Sequence, residues 1–372
     1  MSAVAKPATN GTRGTRASAN VDKAIGPVPL EHEELVVRRG GRSGLYMAVA
    51  IHSTALGPAL GGVRIWHYAE PIEAIRDSLR LARGMTYKAA VAGLDLGGGK
   101  GVICAPPVPP SPAERRAALL DFGDLVDSLD GRYITAEDVG VTPGDIAVIA
   151  ECTEHVTGLE ANRGGSGDPS PFTALGIEAA MRACARERFG SGDLDGVKIA
   201  IAGLGHVGAA LARRLADAGA VLVVSDLDDA KRAVADSLGA RWVEPEHELL
   251  VDCDILAPCA LGGAIDCDVA ALLRCAVICG CANNQLAEDG LADDLARHGI
   301  LYAPDYVVNA GGLIHVYREI RGYSEQEAIE LVLGIEATLD RVLDLAGERD
   351  LTPLAASQLL AEGRLEGALV RN

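Results

Sequence analysis

The sequence predicts an α/β protein with two domains, an N-terminal α/β domain and a second domain built on a doubly wound parallel sheet. The chain has 372 residues, which is longer than one hydrophobic core usually supports. Strand-like and helix-like segments alternate through the second half, as in a parallel sheet covered by helices on both faces. A glycine motif at 203–208 joins one such strand to a helix.

Composition limits the classes of partner and compartment. The formal net charge is −18, which argues against nucleic acid and anionic membranes as partners. No stretch is long and apolar enough for a membrane span, and the first residues lack the apolar core of a secretory signal. The 9 cysteines form no CxxC pair. We therefore expect a cytoplasmic protein with reduced thiols and no metal site.

The first half mixes strand and helix signals. Residues 1–27 are polar without an apolar period, which predicts a disordered tail. Two β-rich runs within 34–53 flank a segment of glycine and arginine, and they predict a hairpin. Helical spacing of apolar residues predicts a helix over 71–85. A strand at 101–105 and a helix at 115–129 follow, so we expect a mixed sheet in this domain.

The second half is more regular. It begins with a predicted helix over 173–187 and a buried strand over 197–202. A helix rich in alanine and leucine then runs to Ala218, and a strand covers 221–225. The same alternation continues to about residue 302, which is the pattern of a parallel, doubly wound sheet.

The glycine motif carries a nucleotide-binding signature, because it lies between strand and helix and precedes Asp226 at the next strand end. Gly203 permits a tight turn, Gly205 lets the backbone approach a pyrophosphate, and Gly208 lets helix and strand pack closely. Asp226 would accept hydrogen bonds from both ribose hydroxyls and repel a 2′-phosphate, which favours NAD over NADP. The alternative is a strand–helix turn without a ligand. The predicted cofactor-binding residues here are Gly203, Leu204, Gly205, His206, Val207, Gly208 and Asp226.

Two lysines, Lys88 and Lys100, frame a segment made mostly of alanine, valine, leucine and glycine. The chain has 28 arginines but only 6 lysines, so lysine here indicates a task that arginine cannot perform. A buried lysine near another cation can lose its proton, whereas a guanidinium stays charged. The glycines at 97–99 would let backbone and ligand come close together. The alternative is a surface lysine after a glycine-rich turn.

Several motifs occur together in the order found in one family of amino acid dehydrogenases. They are 58–62 (PALGG), 85–88 (MTYK), 97–100 (GGGK), 136–140 (AEDVG), the glycine motif, 257–260 (APCA), 282–284 (ANN), 304–306 (PDY) and 309–312 (NAGG). From about residue 30 to its C-terminal helices, the chain resembles the glutamate/leucine/phenylalanine/valine dehydrogenase family. We expect a substrate and catalytic domain at 28–158, a Rossmann NAD-binding domain at 159–340, and a helical segment at 341–372 that returns to the first domain. The resemblance also implies a homo-oligomer.

The resemblance implies roles for individual residues. Lys88 would bind the α-carboxylate of the substrate, and Lys100 would be the general base, its pKa lowered by burial and by Lys88. Asp138 would offset these charges and relay the proton of the amine. Asn283, or its neighbour Asn284, would hold substrate or the nicotinamide ribose. The other implied cofactor contacts are Thr173, at the carboxamide, and Cys259 and Ala260, along the nicotinamide ribose.

The implied reaction is the oxidative deamination of an amino acid to a 2-oxo acid and ammonia. Hydride leaves the substrate Cα for C4 of NAD, Lys100 activates a water that attacks the iminium carbon, and ammonia departs. Orientation in a cleft that closes between the domains should supply much of the rate. The alternative of another class is a catalytically silent NAD-binding scaffold or sensor, against which both lysines and Asp138 argue.

The predicted pocket for the substrate side chain is apolar. In this family, glutamate specificity needs a lysine where this chain has Leu60 and a serine where it has Val316. A buried carboxylate without partners is costly, so we expect glutamate to be rejected. Leu60 resembles the branched-chain enzymes and favours leucine, valine or isoleucine, with phenylalanine or tryptophan as the alternative. The predicted substrate-binding residues are Lys88, Leu60, Gly61, Ala136, Asn283, Leu313 and Val316.

Overall fold

The computed structural model of the chain describes residues 31–159 and 165–370. Its strands and helices lie in the compact unit His32–Asn372. They form a two-domain α/β fold, which confirms the predicted fold class. The tail predicted at 1–27 lies outside the described residues. In the part of the chain that the structure describes, no helix is long and apolar enough to span a membrane.

A five-stranded mixed sheet forms the centre of the first domain. Its strands are β1 (Glu34–Arg39), β2 (Tyr46–Ser53), β3 (Ala59–Trp66), β4 (Gly97–Cys104) and β5 (Tyr133–Glu137). Across the sheet the order is β1-β2-β4-β3-β5. The predicted hairpin is the antiparallel pair β1–β2, and β2 is also antiparallel to β4. Strand β3 lies between β4 and β5 and is parallel to both. Residues of β4 and β5 therefore flank β3 on its two sides.

Three helices pack on this sheet. They are α1 (Pro71–Val91), α2 (Pro112–Asp127) and α3 (Pro143–Ile149). Each starts at a proline, whose missing N–H is not needed in the first turn of a helix. Helix α1 continues past the predicted end at 85, because its last turns are buried against β4. Lys88 therefore lies in the last turn of α1, and Lys100 lies within β4.

Six parallel strands form the sheet of the second domain. They are β6 (Lys198–Ala202), β7 (Val221–Ser225), β8 (Arg241–Trp242), β9 (Ile255–Pro258), β10 (Val277–Ile278) and β11 (Leu301–Tyr302). Their order is β8-β7-β6-β9-β10-β11, which is the strand order of a Rossmann domain. The order reverses between β6 and β9, and ligands of such sheets bind at this point, outside the carboxyl ends of the strands.

The remaining helices cover this sheet and complete the chain. They are α4 (Ser170–Phe189), α5 (His206–Asp217), α6 (Arg232–Ser237), α7 (Cys267–Ala270), α8 (Leu291–Arg297), α9 (Asp305–Val308), α10 (Gly311–Arg321), α11 (Glu325–Leu333), α12 (Ile335–Arg349) and α13 (Pro353–Leu369). Two 3-10 helices lie at Asp229–Lys231 and Pro245–Leu250. Helix α4 is largely buried, since it packs against α5, α10, α11 and α12.

The last helix, α13, packs against α1 of the first domain. The hydroxyl of Tyr87 donates to the Glu362 carboxylate at 2.7 Å. The guanidinium of Arg364 donates to the carbonyl oxygens of Ala90 and Leu94, at 3.1 and 2.7 Å, near the end of α1. These contacts support the proposal that the segment 341–372 belongs with the first domain.

The glycines before Lys100 allow close packing inside the first domain. A Cβ at Gly98 would lie 2.1 Å from the backbone nitrogen of Thr86 in α1, and one at Gly99 would lie 2.6 Å from the ring of Tyr133. The sequence predicts that this run serves the approach of a ligand. At these two positions the protein itself fills the space, so the glycines bring α1, which carries Lys88, close to β4.

Replacement of Gly98 by alanine is expected to destabilise the fold by about 1–3 kcal/mol, because the helix backbone would have to move away from β4. Gly84→Ala is the matched control. Gly84 is exposed on α1 and its Cβ position has no atom within 4 Å, so this change should stabilise by about 0.5–1 kcal/mol. Urea unfolding of both variants measures the difference. Equal midpoints for Gly98→Ala and the natural chain would contradict the packing argument.

Candidate active site

A buried ion pair lies in the first domain. The amine of Lys100, a residue that is only 4% exposed, is 2.9 Å from Oδ2 of Asp138. Lys100 is on β4 and Asp138 follows β5. Val63 of β3 pairs with Gly101 on one side and with Glu137 on the other. The register of three strands therefore places the predicted general base beside the predicted acidic partner.

Arg64 completes this cluster, and it is not among the residues predicted from the sequence. Its Nε donates to Oδ2 of Asp138 at 2.9 Å, and its Nη1 donates to Asp77 at 2.8 Å. Asp77 also accepts a hydrogen bond from the hydroxyl of Tyr68 at 2.7 Å. The sequence did carry a signal for Arg64, because it is a charged residue within a strand of glycine, valine and isoleucine. A charged residue that is buried in such a strand needs a partner.

Burial and the neighbouring charges act together on the pKa values of Lys100 and Asp138. Burial lowers the pKa of the Lys100 amine, Asp138 opposes this change, and Arg64 adds to it. Burial alone would raise the pKa of the Asp138 carboxyl, but Lys100 and Arg64 together lower it below its usual value. Asp138 thus stays ionised, while Lys100 can lose its proton more readily than an exposed lysine.

Lys88 reaches across to the second domain. Its Nζ donates to Oδ1 of Asn283 at 3.3 Å, and that oxygen also accepts a hydrogen bond from Nδ2 of Asn309 at 2.9 Å. Burial lowers the pKa of Lys88 to about 8, Asp305 opposes this change, and Lys100 adds to it. Of the two asparagines considered from the sequence, Asn283 is the one whose side chain contacts Lys88.

The residues predicted to contact the substrate side chain are apolar and come from both domains. Leu60, on β3, is 1% exposed and belongs to the same apolar cluster as the partly buried Leu313 and Val316 of α10. Gly61 packs on β4, since a Cβ there would lie 1.7 Å from the carbonyl oxygen of Gly99. Ala136, a partly buried residue of β5, is set one strand away, opposite Gly62 of β3. None of the side chains of Leu60, Ala136, Leu313 and Val316 can pair with a carboxylate.

The glycine loop has the geometry that a dinucleotide requires. Gly203 has a φ of +106°, in the region that favours glycine, and its N–H donates to the carbonyl of Ser225 at 2.9 Å. A Cβ on Gly208 would lie 2.0 Å from the carbonyl oxygen of Gly203, whereas a Cβ on Gly205 would meet no atom within 4 Å. Two glycines therefore serve packing, and Gly205 leaves open space at the start of α5, where a phosphate would lie.

Asp226 is held beside this loop. Its Oδ2 accepts a hydrogen bond from the backbone of Leu204 at 2.6 Å, and its Oδ1 accepts one from the backbone of Asp228 at 2.9 Å. A carboxylate has about four lone-pair sites, so acceptor capacity remains for ribose hydroxyls. Leu204 is fully buried, so only its backbone can serve a cofactor. His206 is exposed and is the first residue of α5.

The other predicted cofactor contacts lie near the same loop or near α10. Cys259 and Ala260 directly follow β9. A Cβ on Gly203 would lie 2.9 Å from Ala260. The hydroxyl of Thr173 donates to the carbonyl of Pro169 at 3.1 Å, and it would lie 2.8 Å from a Cβ on Gly312. Val207 is partly buried and packs on the core. The open space, the helix N-terminus and the carboxylate together fit a dinucleotide.

The arrangement of the cysteines and acidic residues bears on metal binding. Within 31–159 and 165–370, no group of three or more His, Cys, Asp or Glu side chains is arranged to hold a metal ion. All 9 cysteines of the chain are free thiols in the structure.

Two models of known protein families match the chain. Residues 35–155 match the family described as Glu/Leu/Phe/Val dehydrogenase, dimerisation domain. Residues 224–331 match the family described as Glutamate/Leucine/Phenylalanine/Valine dehydrogenase. The first match covers nearly all of β1 to β5 with α1 to α3, and the second runs from the end of β7 into α11.

Individual relatives align along nearly the whole chain. A leucine dehydrogenase of Bacillus subtilis strain 168 is 47% identical over 338 residues, which are 90% of this chain and 92% of the relative. A valine dehydrogenase of Streptomyces virginiae is 44% identical over 91% of this chain and 94% of the relative. The crystal structure of L-tryptophan dehydrogenase from Nostoc punctiforme has a TM-score of 0.79 and 41% identity, covering 91% of this chain and 97% of that one. The chain therefore belongs to the Glu/Leu/Phe/Val dehydrogenase family.

Proposed function

We propose that this amino acid dehydrogenase catalyses the NAD-dependent oxidative deamination of an apolar L-amino acid, namely leucine, valine or isoleucine, to the 2-oxo acid and ammonia. The single observation that carries the proposal is the buried pair of Lys100 and Asp138 close to Lys88 and the apolar residues around Leu60. A cation for the α-carboxylate, a general base and an uncharged pocket are what this reaction requires.

Lys88 binds the substrate in this proposal. Its ammonium would hold the α-carboxylate, and Asn283, which already accepts a hydrogen bond from Lys88, would orient the bound group. With the carboxylate held at this end, the side chain of the substrate extends toward Leu60, Leu313 and Val316. The Cα of the substrate then lies near Lys100, because Lys88 and Lys100 are close enough for their positive charges to repel each other.

Lys100 moves the proton. After the Cα has given up its hydride, the neutral amine takes a proton from a water molecule that attacks the resulting iminium carbon, and it later returns that proton to the nitrogen that departs as ammonia. Asp138 stays ionised beside it and stabilises the ammonium that forms on Lys100. Arg64 holds the same oxygen of Asp138 that faces Lys100, so the carboxylate keeps its orientation through the proton transfer.

The glycine loop and its neighbours would hold the dinucleotide. When bound, NAD would accept the hydride that leaves the substrate Cα. The backbone at Gly205 and the N-terminus of α5 would bind the pyrophosphate, and Asp226 would bind the ribose. Thr173, Cys259, Ala260 and Asn283 would surround the nicotinamide end. The negative charge of Asp226 supports NAD over NADP, because a 2′-phosphate would be repelled.

The assignment of the substrate class depends on the lining of the pocket. Relatives with comparable identity are named leucine, valine and tryptophan dehydrogenases, so identity alone does not select among apolar side chains. The size of Leu60 supports branched-chain substrates over aromatic ones.

We further propose that the enzyme is cytoplasmic, which its free thiols support. We also propose that it acts as a homo-oligomer, which the match to a dimerisation domain supports.

Lys100→Ala is expected to lower turnover by a factor of about 10²–10⁴ or more, because no other group replaces the base. Lys198→Ala is the matched control, since Lys198 is a partly exposed lysine that lies 3.5 Å from Asp252. The measurement is NADH absorbance with leucine, alongside NAD binding by calorimetry. Unchanged turnover in Lys100→Ala would refute the assignment of the base. Binding of NAD by the natural chain without turnover of any amino acid would favour a silent scaffold.

A substrate panel tests the pocket. We expect leucine, valine and isoleucine to be oxidised, with kcat/KM for glutamate lower by about 10³ or more, because its side-chain carboxylate would be buried without a partner. Phenylalanine and tryptophan belong in the same panel. Higher kcat/KM for the aromatic substrates than for leucine would assign the pocket to them instead.

The role of Arg64 is visible in the pH dependence. A general base must be neutral, so kcat/KM rises with pH as Lys100 loses its proton. Arg64 helps to lower the pKa of Lys100, so in Arg64→Gln this rise should move to higher pH by about one unit. Arg80→Gln is the control, since Arg80 also pairs with Asp77 but is 55% exposed. A pH profile of Arg64→Gln that coincides with that of the control would contradict this role.

A further inference from the structure

Asp305, the first residue of α9, is a buried carboxylate that none of the roles above uses. It is 8% exposed. Its Oδ1 accepts a hydrogen bond from the backbone of Tyr306 at 2.8 Å, and its Oδ2 accepts one from the backbone of Asn284. Removal of a carboxylate from water to this extent is costly unless it is compensated. A carboxylate in this position therefore needs a reason beyond the capping of a short helix.

The hydrogen bond to Asn284 fixes an unusual turn. Asn284 has a φ of +51°, a left-handed conformation that residues other than glycine rarely adopt, although asparagine tolerates it. The carbonyl of Asn284 accepts a hydrogen bond from the backbone of Gly263 at 2.6 Å. The turn is thus held at both its N–H and its carbonyl. The residue before it, Asn283, presents its side-chain oxygen to Lys88 at 3.3 Å.

The charge of Asp305 also acts on Lys88. Helix α9 packs on α1, which carries Lys88. The charged groups that act on Lys88 are Asp305, Lys100 and Asp138, and of these Asp305 has the largest effect and raises its pKa. The groups around Asp305 are Lys88 of α1, the exposed Asp289, and Tyr302 of β11. Lys88 is the cation among them, and Asp305 is the acidic group of the second domain that acts on its pKa.

We propose that Asp305 is a positioning residue for substrate binding, whose carboxylate holds the Asn283–Asn284 turn against Lys88 and keeps the Lys88 side chain positively charged. This inference rests on the proposed function, in which Lys88 binds the α-carboxylate of the amino acid. It explains why a charge is buried in the second domain next to a lysine of the first. It also gives Asp305 a role different from that of Asp138. Asp305 acts on Lys88, whereas Asp138 pairs with Lys100.

The two parts of this role give different signatures. Lys88 must be protonated to bind a carboxylate, so substrate binding weakens as pH rises through its pKa of about 8. Loss of the Asp305 charge lowers that pKa, and binding should weaken at lower pH. Loss of the hydrogen bond to Asn284 displaces Asn283 and should weaken binding at every pH. A merely structural aspartate would change stability without moving the pH dependence.

The first experiment compares Asp305→Asn with Asp289→Asn, which removes the exposed neighbouring carboxylate. In Asp305→Asn, KM for leucine is expected to rise about ten-fold at pH 8, and the pH at which KM begins to rise should fall by about one unit. The value of kcat at saturating leucine should stay within about two-fold, since binding rather than chemistry is affected. Asp289→Asn should match the natural enzyme. An unshifted KM profile in Asp305→Asn would overturn the inference.

A second variant keeps the charge and moves it. Asp305→Glu retains a carboxylate near Lys88 but cannot reach the Asn284 N–H in the same geometry. We expect its KM to be raised at all pH values while the onset of the rise stays at the natural pH. A downward shift of the onset in Asp305→Glu equal to that in Asp305→Asn would show that charge is not the cause. This variant also preserves the test if Asp305→Asn does not fold.

A third measurement does not depend on turnover. Competitive acetylation of the full chain with acetic anhydride, followed by mass spectrometry of the peptide that contains Lys88, gives the protonation of that amine as a function of pH. The midpoint should fall by about one unit in Asp305→Asn and stay unchanged in Asp289→Asn. A shifted midpoint in an enzyme that oxidises no amino acid would refute the proposed function and leave the coupling of Asp305 to Lys88 intact. Turnover of leucine with an unshifted midpoint would refute the coupling alone.

Discussion

The burial of the Lys100 amine against one oxygen of Asp138 is the constraint on which the arrangement of the first domain depends. Removal of Asp138 would leave the buried Lys100 amine without its ion-pair partner, which is costly. The register of β4, β3 and β5 must therefore be kept, because it alone brings the two residues together. Arg64 shares the same carboxylate oxygen and ties it to Asp77 on α1. Arg64, Asp77 and Asp138 thus hold the sheet, helix α1 and the Lys100 amine in place.

The parts of this site that the sequence could predict are those with a local pattern. The glycine spacing at 203–208 and the acid at Asp226 define the loop through backbone requirements, and the structure places them together. The structure likewise brings Lys100 beside Asp138 and Lys88 beside Asn283. Leu60 and Val316 were predicted in the pocket from the resemblance. Leu60 lies in a large apolar cluster and Val316 packs against it, and their contact with a substrate stays a prediction.

The parts that could not be predicted depend on partners far along the chain. Arg64 acquires its role only when β3 lies between β4 and β5. Asp305 contacts Asn284 through a turn whose left-handed residue is not evident from the letters ANN. Gly98 packs against Thr86, one residue beyond the helix end that local apolar spacing predicted, because burial against β4 extends α1 to Val91. The boundaries of the two domains remain predictions, since the described chain forms one compact unit.

The return of α13 to α1 braces the turn of α1 that carries Lys88. Tyr87 donates to Glu362 of α13, and the carbonyl of Ala90 accepts a hydrogen bond from Arg364. Lys88 lies between these two attachments, so its placement depends on a helix whose contact residue lies 275 positions later in the chain.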